Sequence, residues 1–415
     1  MKKISKNSEF KNLENTFIPK DWEGMKIGDI VAFIKGKKPA EMIEECKENY
    51  IPYLSTDYLR ENKSTKFAKI SREVVLVNNE DLLLLWDGSN AGEFFLGRKG
   101  VLSSTMVIFK LKEKKCVGRF LFYLLKTKEN YIQGQTKGTG IPHVDGDVLN
   151  NLLILFPPLF EQNKIAEILS TVDHSIEETD GSITKTEKLK KGLMQGLFTK
   201  GIGHKEFKET EIGVIPKEWK AVKLGNESII EIRSNKTING FDKIAFIPME
   251  AISDFNIFAK FEIRLAKDVK SYTYCESGDI LLPKITPSLE NGKQGIVPED
   301  VPNGFVFATT EVFPICCKGI EKLFLFYLLK FSKFRNQIIS SMIGTTGRQR
   351  ASKESVKNLL IPLPSISEQQ KIAEILSSVD ERIQLLKEKK NKLDRVKKGL
   401  MNELLTGRIR VKVEA

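Results

Sequence analysis

Two stretches of sixteen residues nearly repeat each other in this chain of 415 residues. EQNKIAEILSTVDHSI begins at Glu161 and EQQKIAEILSSVDERI begins at Glu368, 207 residues later, and twelve of the sixteen positions are identical. The match extends outward, because FLFYLLK precedes both copies and KKGLM follows both. A period of this length exceeds that of solenoid repeats and indicates two duplicated domains.

The duplication predicts an order of variable block, long helix, variable block and long helix. The middle portions of the blocks share almost no sequence, and their short apolar runs alternate with Gly, Pro and Asn, which predicts short strands. Apolar spacing from Phe120 and from Phe324 predicts a helix that closes each block, so each block is predicted to be α+β. The predicted boundaries are 1–155 for the first block, 156–207 for the first helix, 208–360 for the second block and 361–415 for the second helix with its basic tail.

The repeated helices carry apolar residues at alternating spacings of four and three, which predicts a coiled-coil seam. The connections favour an antiparallel pair of helices, with the blocks at opposite ends and related by a pseudo-twofold axis. The predicted seam residues are Ile165, Leu169, Val172 and Ile176 in the first helix, and Ile372, Leu376, Val379, Ile383 and Leu386 in the second.

Polar residues interrupt the middle of this seam. They are Thr179, Thr186 and Lys190 in the first helix, and Lys390 and Lys397 in the second. One interpretation is a kinked or water-filled middle, and another is a surface for a partner. At the start of the second helix, Ser367 and Gln370 have the spacing of a capping box.

The net charge of +12 and the isoelectric point near 9.2 are typical of a chain that binds nucleic acid, an anionic membrane or an acidic partner. The longest wholly apolar run is FLFYLL, far short of the roughly 20 residues that span a bilayer. The basic N-terminal stretch lacks the apolar core of a signal peptide, so we expect the protein in the cytoplasm. The five cysteines form no C-x-x-C pair and there are three histidines, so we expect no metal site.

Catalytic signatures are missing from the sequence. It contains no P-loop, and the FPPLF stretch at Phe156 has Phe and Leu where a DNA amino-methyltransferase motif needs a polar and an aromatic residue. We therefore expect that the chain is not an enzyme by itself.

A Gly/Thr-rich stretch occupies matching positions in the two blocks: GQTKGTGIPHV from Gly134 and GTTGRQR from Gly344. Backbone amides in such loops approach phosphate closely, and nearby Lys or Arg side chains neutralise it. The alternative is a tight, solvated turn. Arg and Asn or Gln side chains also suit the bidentate recognition of guanine and adenine.

These considerations give a set of candidate DNA-binding residues. In the first block they are Lys37, Lys38, Arg60, Asn90, Arg98, Ser104, Lys137, Thr139 and His143. In the second block they are Lys236, Arg264, Lys284, Gln294, Thr346, Arg348, Gln349 and Arg350.

The layout resembles the specificity (S) subunits of type I restriction–modification systems. The stretches that carry the resemblance are LFPPLFEQNKIAEILSTVD, IPLPSISEQQKIAEILSSVD, KKGLMQGLFTKGIGHKEFKETEIGVIPKEW and KKGLMNELLTGRIRV, and the resemblance covers essentially the whole chain. It implies two target-recognition domains, each reading one half of a gapped bipartite site in double-stranded DNA. The dissimilar middles of the blocks favour an asymmetric target.

The resemblance also implies partners. Two methyltransferase (M) subunits would dock on the paired helices, which act as a molecular ruler, and restriction (R) subunits would join for cleavage. S-adenosylmethionine, ATP and Mg²⁺ would belong to those partner chains, with no cofactor in this one. Two alternatives stay open: a coiled-coil scaffold that binds no DNA, and the recognition subunit of a different methylation-based defence system.

Overall fold

The chain divides into two compact units, and each combines one block with a stretch of both long helices. The first unit is Met1–Asp180 with Glu388–Ala415, and the second is Gly181–Lys387. The structure, a computed structural model, describes residues 10–13, 16–61, 66–112, 116–138, 140–269, 271–345 and 347–411.

The first block contains short strands with small helices between them. Its strands are β1 (Phe10–Leu13), β2 (Thr16–Pro19), β3 (Glu23–Lys26), β4 (Val31–Lys35), β5 (Met42–Ile43), β6 (Tyr50–Leu54), β7 (Phe67–Lys69), β8 (Leu76–Val77), β9 (Leu82–Leu85), β10 (Phe94–Leu96), β11 (Gly100–Leu102), β12 (Met106–Leu111) and β13 (Leu153–Phe156). Its helices are α1 (Ile27–Ile30), α2 (Thr56–Glu61), α3 (Gly118–Lys126), α4 (Glu129–Gln133) and α5 (Gly146–Asn151).

The second block follows the long helix α6 (Leu159–Lys200) and precedes the long helix α11 (Ile366–Leu404). Its strands are β14 (Phe207–Lys208), β15 (Ile215–Pro216), β16 (Lys220–Lys223), β17 (Ile230–Ile232), β18 (Lys243–Ile247), β19 (Glu262–Leu265), β20 (Thr273–Glu276), β21 (Ile280–Pro283), β22 (Gly295–Ile296), β23 (Phe305–Ala308), β24 (Val312–Cys317) and β25 (Leu360–Leu363). Its helices are α7 (Ala266–Val269), α8 (Lys322–Lys330), α9 (Ser332–Ser340) and α10 (Lys353–Lys357), with two short 3₁₀ turns at Met249–Ala251 and Pro302–Gly304.

The two blocks have the same strand topology although their middle sequences differ. One sheet has the order β10-β9-β12-β4 in the first block and β22-β21-β24-β17 in the second. The other contains β7-β6-β11-β8 in the first block and β19-β18-β23-β20 in the second, with a parallel pair at its centre in both. The predicted α+β fold and the predicted duplication are therefore confirmed.

Apolar sequence runs form the cores of the blocks. The four residues of β9 and the four residues of β21 are all buried, as a strand covered on both faces requires. The FLFYLL run places six buried residues in α3 and six in α8. In each unit the start of one long helix packs into the same core, through Ile165 and Leu169 in the first and Ile372 and Leu376 in the second.

The long helices pack antiparallel within each unit. In the first unit Lys397 lies 2.6 Å from Asp173, and Lys390 lies 2.7 Å from Asp180. From the first pair to the second, the residue number rises along α6 and falls along α11. The two helices therefore run in opposite directions, as predicted. The seam residues Ile165, Leu169, Ile372 and Leu376 have no exposed surface, and Ile383 is buried, while Val172, Ile176, Val379 and Leu386 are partly exposed.

Ion pairs and hydroxyl hydrogen bonds satisfy the polar middle of the seam. In the second unit, Lys190 lies 2.6 Å from Asp380 and Lys387 lies 3.3 Å from Glu187. Thr179 and Thr186 are buried, and each hydroxyl donates to the carbonyl four residues earlier. Helix α6 stays helical through Gly181. Pairing between the helices within each unit gives each of these lysines a carboxylate partner.

Each long helix starts with a Glu-Gln pair whose glutamine ties the helix to its block. Gln162 donates to the carbonyl of Pro157 and accepts from the amide of Val117, both at 2.9 Å. Gln369 makes the equivalent bonds to Pro364 and Glu321 in the second unit. The predicted capping box is wrong by two residues, because Ser365 and not Ser367 accepts the amide of Glu368, at 3.3 Å.

Candidate nucleic-acid interface

The two Gly/Thr-rich stretches form the same structure, a short loop closed by two backbone hydrogen bonds. In the first block, Lys137 and His143 exchange amide-to-carbonyl bonds of 2.9 and 2.8 Å. In the second block, Ile343 and Arg350 exchange bonds of 3.0 and 2.9 Å. Five residues lie between the paired residues in the first loop and six in the second, and a single antiparallel bridge forms the neck of each loop.

A glycine starts each loop because the backbone there requires one. Gly138 has φ +105° and Gly344 has φ +139°, in the left-handed region that side chains disfavour. A Cβ atom at Gly138 would lie 2.7 Å from the carbonyl oxygen of Ile141, and one at Gly344 would lie 2.5 Å from that of Arg348. The loop shape is therefore built into the sequence at equivalent positions.

The first loop packs on the rim formed by the end of β9. His143 pairs with Asp87, and the amide of Gly88 donates to the carbonyl of Pro142 at 2.9 Å. Asn90 lies in the same turn and is exposed. Ser104 is half-buried and precedes Thr105, whose carbonyl accepts from the amides of Trp86 and Asp87. The structure thus brings Asn90, Ser104, Lys137 and His143 to one rim.

Two lysine side chains on the first rim form ion pairs with nearby aspartates. Lys35 lies 2.8 Å from Asp87, and Lys37 and Lys38 follow on the exposed segment after β4. Lys137 lies 2.7 Å from Asp145, and the hydrogen bond between them raises the pKa of Lys137 above its usual range. Lys137 is therefore a fixed cation, positioned beside the neck of the loop.

The second loop packs on the equivalent rim at the end of β21. The amide of Thr286 donates to the carbonyl of Gln349 at 3.1 Å, and the amide of Ala351 donates to that of Lys284 at 2.7 Å. Arg350 lies 2.5 Å from Glu311 and is exposed, as is Arg348. Lys284, Arg348, Gln349 and Arg350 therefore share one rim.

The carboxylate of Glu311 is the acidic centre of this rim. Burial lowers the pKa of Lys284, with the charge of Glu311 opposing the shift and that of Arg350 adding to it. Among the described residues, the Oε2 atom of Glu311 is buried without a hydrogen-bond partner. A carboxylate with one unsatisfied oxygen therefore lies beside the two cations Lys284 and Arg350 on this rim.

Four further candidates pair with other groups of their own blocks. Arg60 is ion-paired with Glu93, and the Arg98 guanidinium lies 5.6 Å from the centre of the Tyr58 ring. Lys236 lies 2.9 Å from Glu276, and Arg264 lies over the ring of Phe246 and pairs with Glu262. Each cation already has a partner within its own block.

One candidate must be corrected. Gln294 has no exposed surface, and its amide donates to the carbonyl of Phe326 at 2.8 Å and accepts from Arg335 at 2.7 Å. It is a structural residue of the interior, out of reach of DNA. Thr139 and Thr346 lie outside the described residues.

A tryptophan–glutamate–base cluster recurs in both units and escaped the sequence analysis. In the first unit, Glu161 accepts from the indole of Trp22 at 3.3 Å and from the guanidinium of Arg410, which raises the pKa of that arginine. In the second, Glu368 accepts from Trp219 and lies 2.9 Å from His204. The signal in the sequence was the recurrence of IPKDW and IPKEW upstream of each Glu-Gln pair.

A second recurrent cluster joins each block to the helix pair. Tyr123 donates to Asp173 at 2.7 Å, and Lys397 pairs with that carboxylate. Tyr327 donates to Asp380 at 2.9 Å, and Lys190 pairs with that carboxylate. Burial raises the pKa of both tyrosines, so both keep their hydroxyl proton. These bonds fix the position of each block against both helices of its unit.

Among the residues that the structure describes, no helix combines the length and the apolar character needed to cross a bilayer. Within the described ranges, no three His, Cys, Asp or Glu side chains cluster in a way that could hold a metal ion.

Comparison with known proteins adds sequence relatives and similar folds. The chain is 42% identical over 419 residues to the type I restriction enzyme MjaVIII specificity subunit of Methanocaldococcus jannaschii, covering 98% of this chain and 97% of the relative. It is 24% identical to the EcoBI specificity subunit of Escherichia coli, over 76% of this chain and 70% of that one. The crystal structure of the type I S subunit from M. genitalium has a similar fold, with a TM-score of 0.59 at 16% identity over 98% of this chain and 99% of that one.

A family model described as the type I restriction modification DNA specificity domain matches twice, at residues 19–188 and 216–395. The two matches each contain one block and most of the helix that follows it, in agreement with the internal duplication. The chain therefore belongs to the family of type I restriction–modification DNA specificity subunits.

Proposed function

We propose that the chain selects the DNA target of a type I restriction–modification complex, and that each block reads one half of an asymmetric, gapped, bipartite site. The observation that carries the proposal is the closed Gly loop. It stands on the same rim of the same topology in both blocks, beside Lys137 in one and beside Arg348 and Arg350 in the other. Readers of different sequence on one scaffold would recognise different half-sites.

The cations of the rims supply the contacts that DNA binding needs. Lys and Arg neutralise phosphates and position a protein on the duplex, while Arg and Gln side chains read base edges. Arg348 is exposed and lies next to the half-buried Gln349 in the second loop. The net charge of +12 favours association with DNA in general.

The proposal includes partner chains that carry the chemistry. Relatives of this chain are named as specificity subunits of restriction enzymes. On this basis two methyltransferase subunits dock on the helix pair and restriction subunits join them in the cytoplasm. S-adenosylmethionine, ATP and Mg²⁺ then serve those subunits, and this chain contributes recognition without catalysis.

Methylome sequencing tests the proposal directly. Cells with the intact system should contain one bipartite motif with methylated adenines, and that motif should lose its methylation when only this chain is deleted. A reconstituted complex should also bind the motif with strong salt dependence, because each neutralised phosphate contributes about −0.9 to the slope of log affinity against log salt. A complex that binds no DNA would support a protein scaffold instead.

A further inference from the structure

Each of the two loops, counted together with its neck, contains a highly exposed isoleucine. Ile141 is 70% exposed and Ile343 is 79% exposed, and these are the two largest exposed fractions among the large hydrophobic side chains that the structure describes. Ile343 forms one side of the neck of the second loop, and Ile141 lies within the first loop, two residues before its neck residue His143.

A single exposed aliphatic side chain is common on protein surfaces and does not by itself indicate a binding site. Here the two most exposed ones belong to the two equivalent structures, Ile141 within the first loop and Ile343 in the neck of the second, at positions that do not correspond. In the described part of each loop, two backbone hydrogen bonds close the neck and a glycine with positive φ follows its first residue.

We propose that Ile141 and Ile343 each contact the 5-methyl group of a thymine in the major groove, one in each half-site. This inference rests on the proposed function. The major groove is about 12 Å wide and the minor groove about 6 Å, so an exposed side chain on a rim reaches base edges more readily in the major groove. The thymine methyl group is the apolar feature of a base edge in the major groove, and the minor groove offers none.

The residues next to the two isoleucines are of types that bind DNA, which agrees with a position of the isoleucines in the major groove. Arg350 pairs with Ile343 through its backbone, and Arg348 and Gln349 lie between them in sequence. Lys137 closes the first loop within four residues of Ile141. An aliphatic side chain flanked by groups that bind phosphates and base edges can add selectivity for thymine where charge alone cannot distinguish the bases.

The test uses the complex reconstituted with its methyltransferase subunits and the target found by methylome sequencing. Binding is measured on a series of duplexes in which each thymine in turn is replaced by deoxyuridine, which removes the 5-methyl group alone. Loss of one buried methyl group should weaken binding about fourfold at one position in each half-site.

Alanine variants assign each position to its side chain. Ile343→Ala should abolish the deoxyuridine effect in the half-site read by the second block and leave the effect in the other half. Ile141→Ala should do the reverse. Ile263→Ala, at a 50% exposed isoleucine on β19, and Ile70→Ala, at a 45% exposed one in the first block, are matched controls that should leave both effects intact.

Two outcomes overturn the inference while the proposed function stands: a deoxyuridine effect that persists in the alanine variants, or tight specific binding that no deoxyuridine substitution weakens. A half-site without an A·T pair would also overturn the inference, because it contains no thymine. Failure of the complex to bind any bipartite motif is a different result, because it overturns the proposed function. If the alanine variants lose the methyltransferase subunits, the isoleucines serve a protein interface and the inference is wrong.

Discussion

The ammonium of Lys190 on α6 lies 2.6 Å from the carboxylate of Asp380 on α11, and the hydroxyl of Tyr327 donates to the same carboxylate at 2.9 Å. The first unit repeats the arrangement with Lys397, Asp173 and Tyr123. A lysine that interrupts an apolar seam thus has a partner on the opposite helix. Such a pair favours one axial register of two helices, because any other register leaves both charges unpaired.

We predict that Asp380→Ala lowers the free energy of unfolding by about 1–3 kcal/mol, because Lys190 and Tyr327 both lose a partner in a largely buried position. A double-mutant cycle with Lys190→Ala, measured by urea denaturation, should give a positive coupling energy of about 1 kcal/mol or more. The more exposed pair between Glu187 and Lys387 is the control and should couple by less than about 1 kcal/mol. Equal couplings for the two pairs would contradict this role for Asp380.

Lys330 should make stability depend on pH. Burial lowers its pKa from 10.5 to about 7, and the charge of Lys190 adds to the shift. Below pH 7 the folded and unfolded chains both hold the proton, so the folded state bears the full cost of the buried charge. Between pH 7 and 10.5 the unfolded chain holds a proton that the folded chain lacks, so stability rises with pH across this window.

Lys330→Met should therefore stabilise the protein most below pH 7, with a gain in melting temperature that shrinks as the pH rises towards 10.5. Lys126, the last residue of the first FLFYLLK run, is the matched control. It lies 2.6 Å from Glu129, so Lys126→Met should lose an ion pair and give no gain at low pH. A gain for Lys330→Met that grows with pH would have the wrong sign.

Glu311→Gln should strengthen DNA binding. The change removes a negative charge from the rim of the second loop and releases Arg350, which the carboxylate now holds at 2.5 Å. Affinity for any duplex should rise several-fold at low salt, and the log–log salt slope should steepen by about one unit as one more phosphate contact forms. Fluorescence anisotropy of the reconstituted complex measures both quantities.

The control for Glu311→Gln is Glu299→Gln. Glu299 also pairs with a lysine, Lys322 at 2.6 Å, and lies beside Ser277 before the start of β21, whereas Lys284 and the second loop follow its end. Removing the same charge there should change the affinity little. If both variants bind DNA equally well, net charge alone explains the effect and the rim has no special part.

Equal insertions in the two helices test the ruler role. Four residues, one helical turn, added between Asp180 and Gly181 and between Lys387 and Glu388 would lengthen both helices by about 6 Å. The unspecified gap of the target should widen by about two base pairs, since bases rise about 3.4 Å each. The same insertion in α6 alone should abolish recognition, because it shifts the register of the helix ion pairs. An unchanged gap after the paired insertion would remove the ruler role.

The sequence predicts the elements whose signal is local or repeated. The long helices begin at Leu159 and Ile366, close to the predicted starts at 156 and 361, because a sustained apolar period and flanking prolines determine such elements. The sequence does not predict partners that depend on three-dimensional packing. Asp173 and Asp380 were not predicted as partners of the seam lysines, since such pairing depends on the axial stagger of two helices. Gln294 was predicted as a base reader because residue type does not reveal that this residue packs against α8 and α9 in the interior.

Exchange of one block tests the central claim that each block reads its own half-site. Residues 208–360 are replaced by the corresponding block of a family member with a different target, and the methylated motif of cells carrying the chimaera is sequenced. One half of the bipartite motif should change to that of the donor, while the other half and the gap stay the same. The claim would be contradicted if both halves of the motif changed. It would also be contradicted if the DNA of cells carrying the chimaera were methylated at the original, unaltered motif.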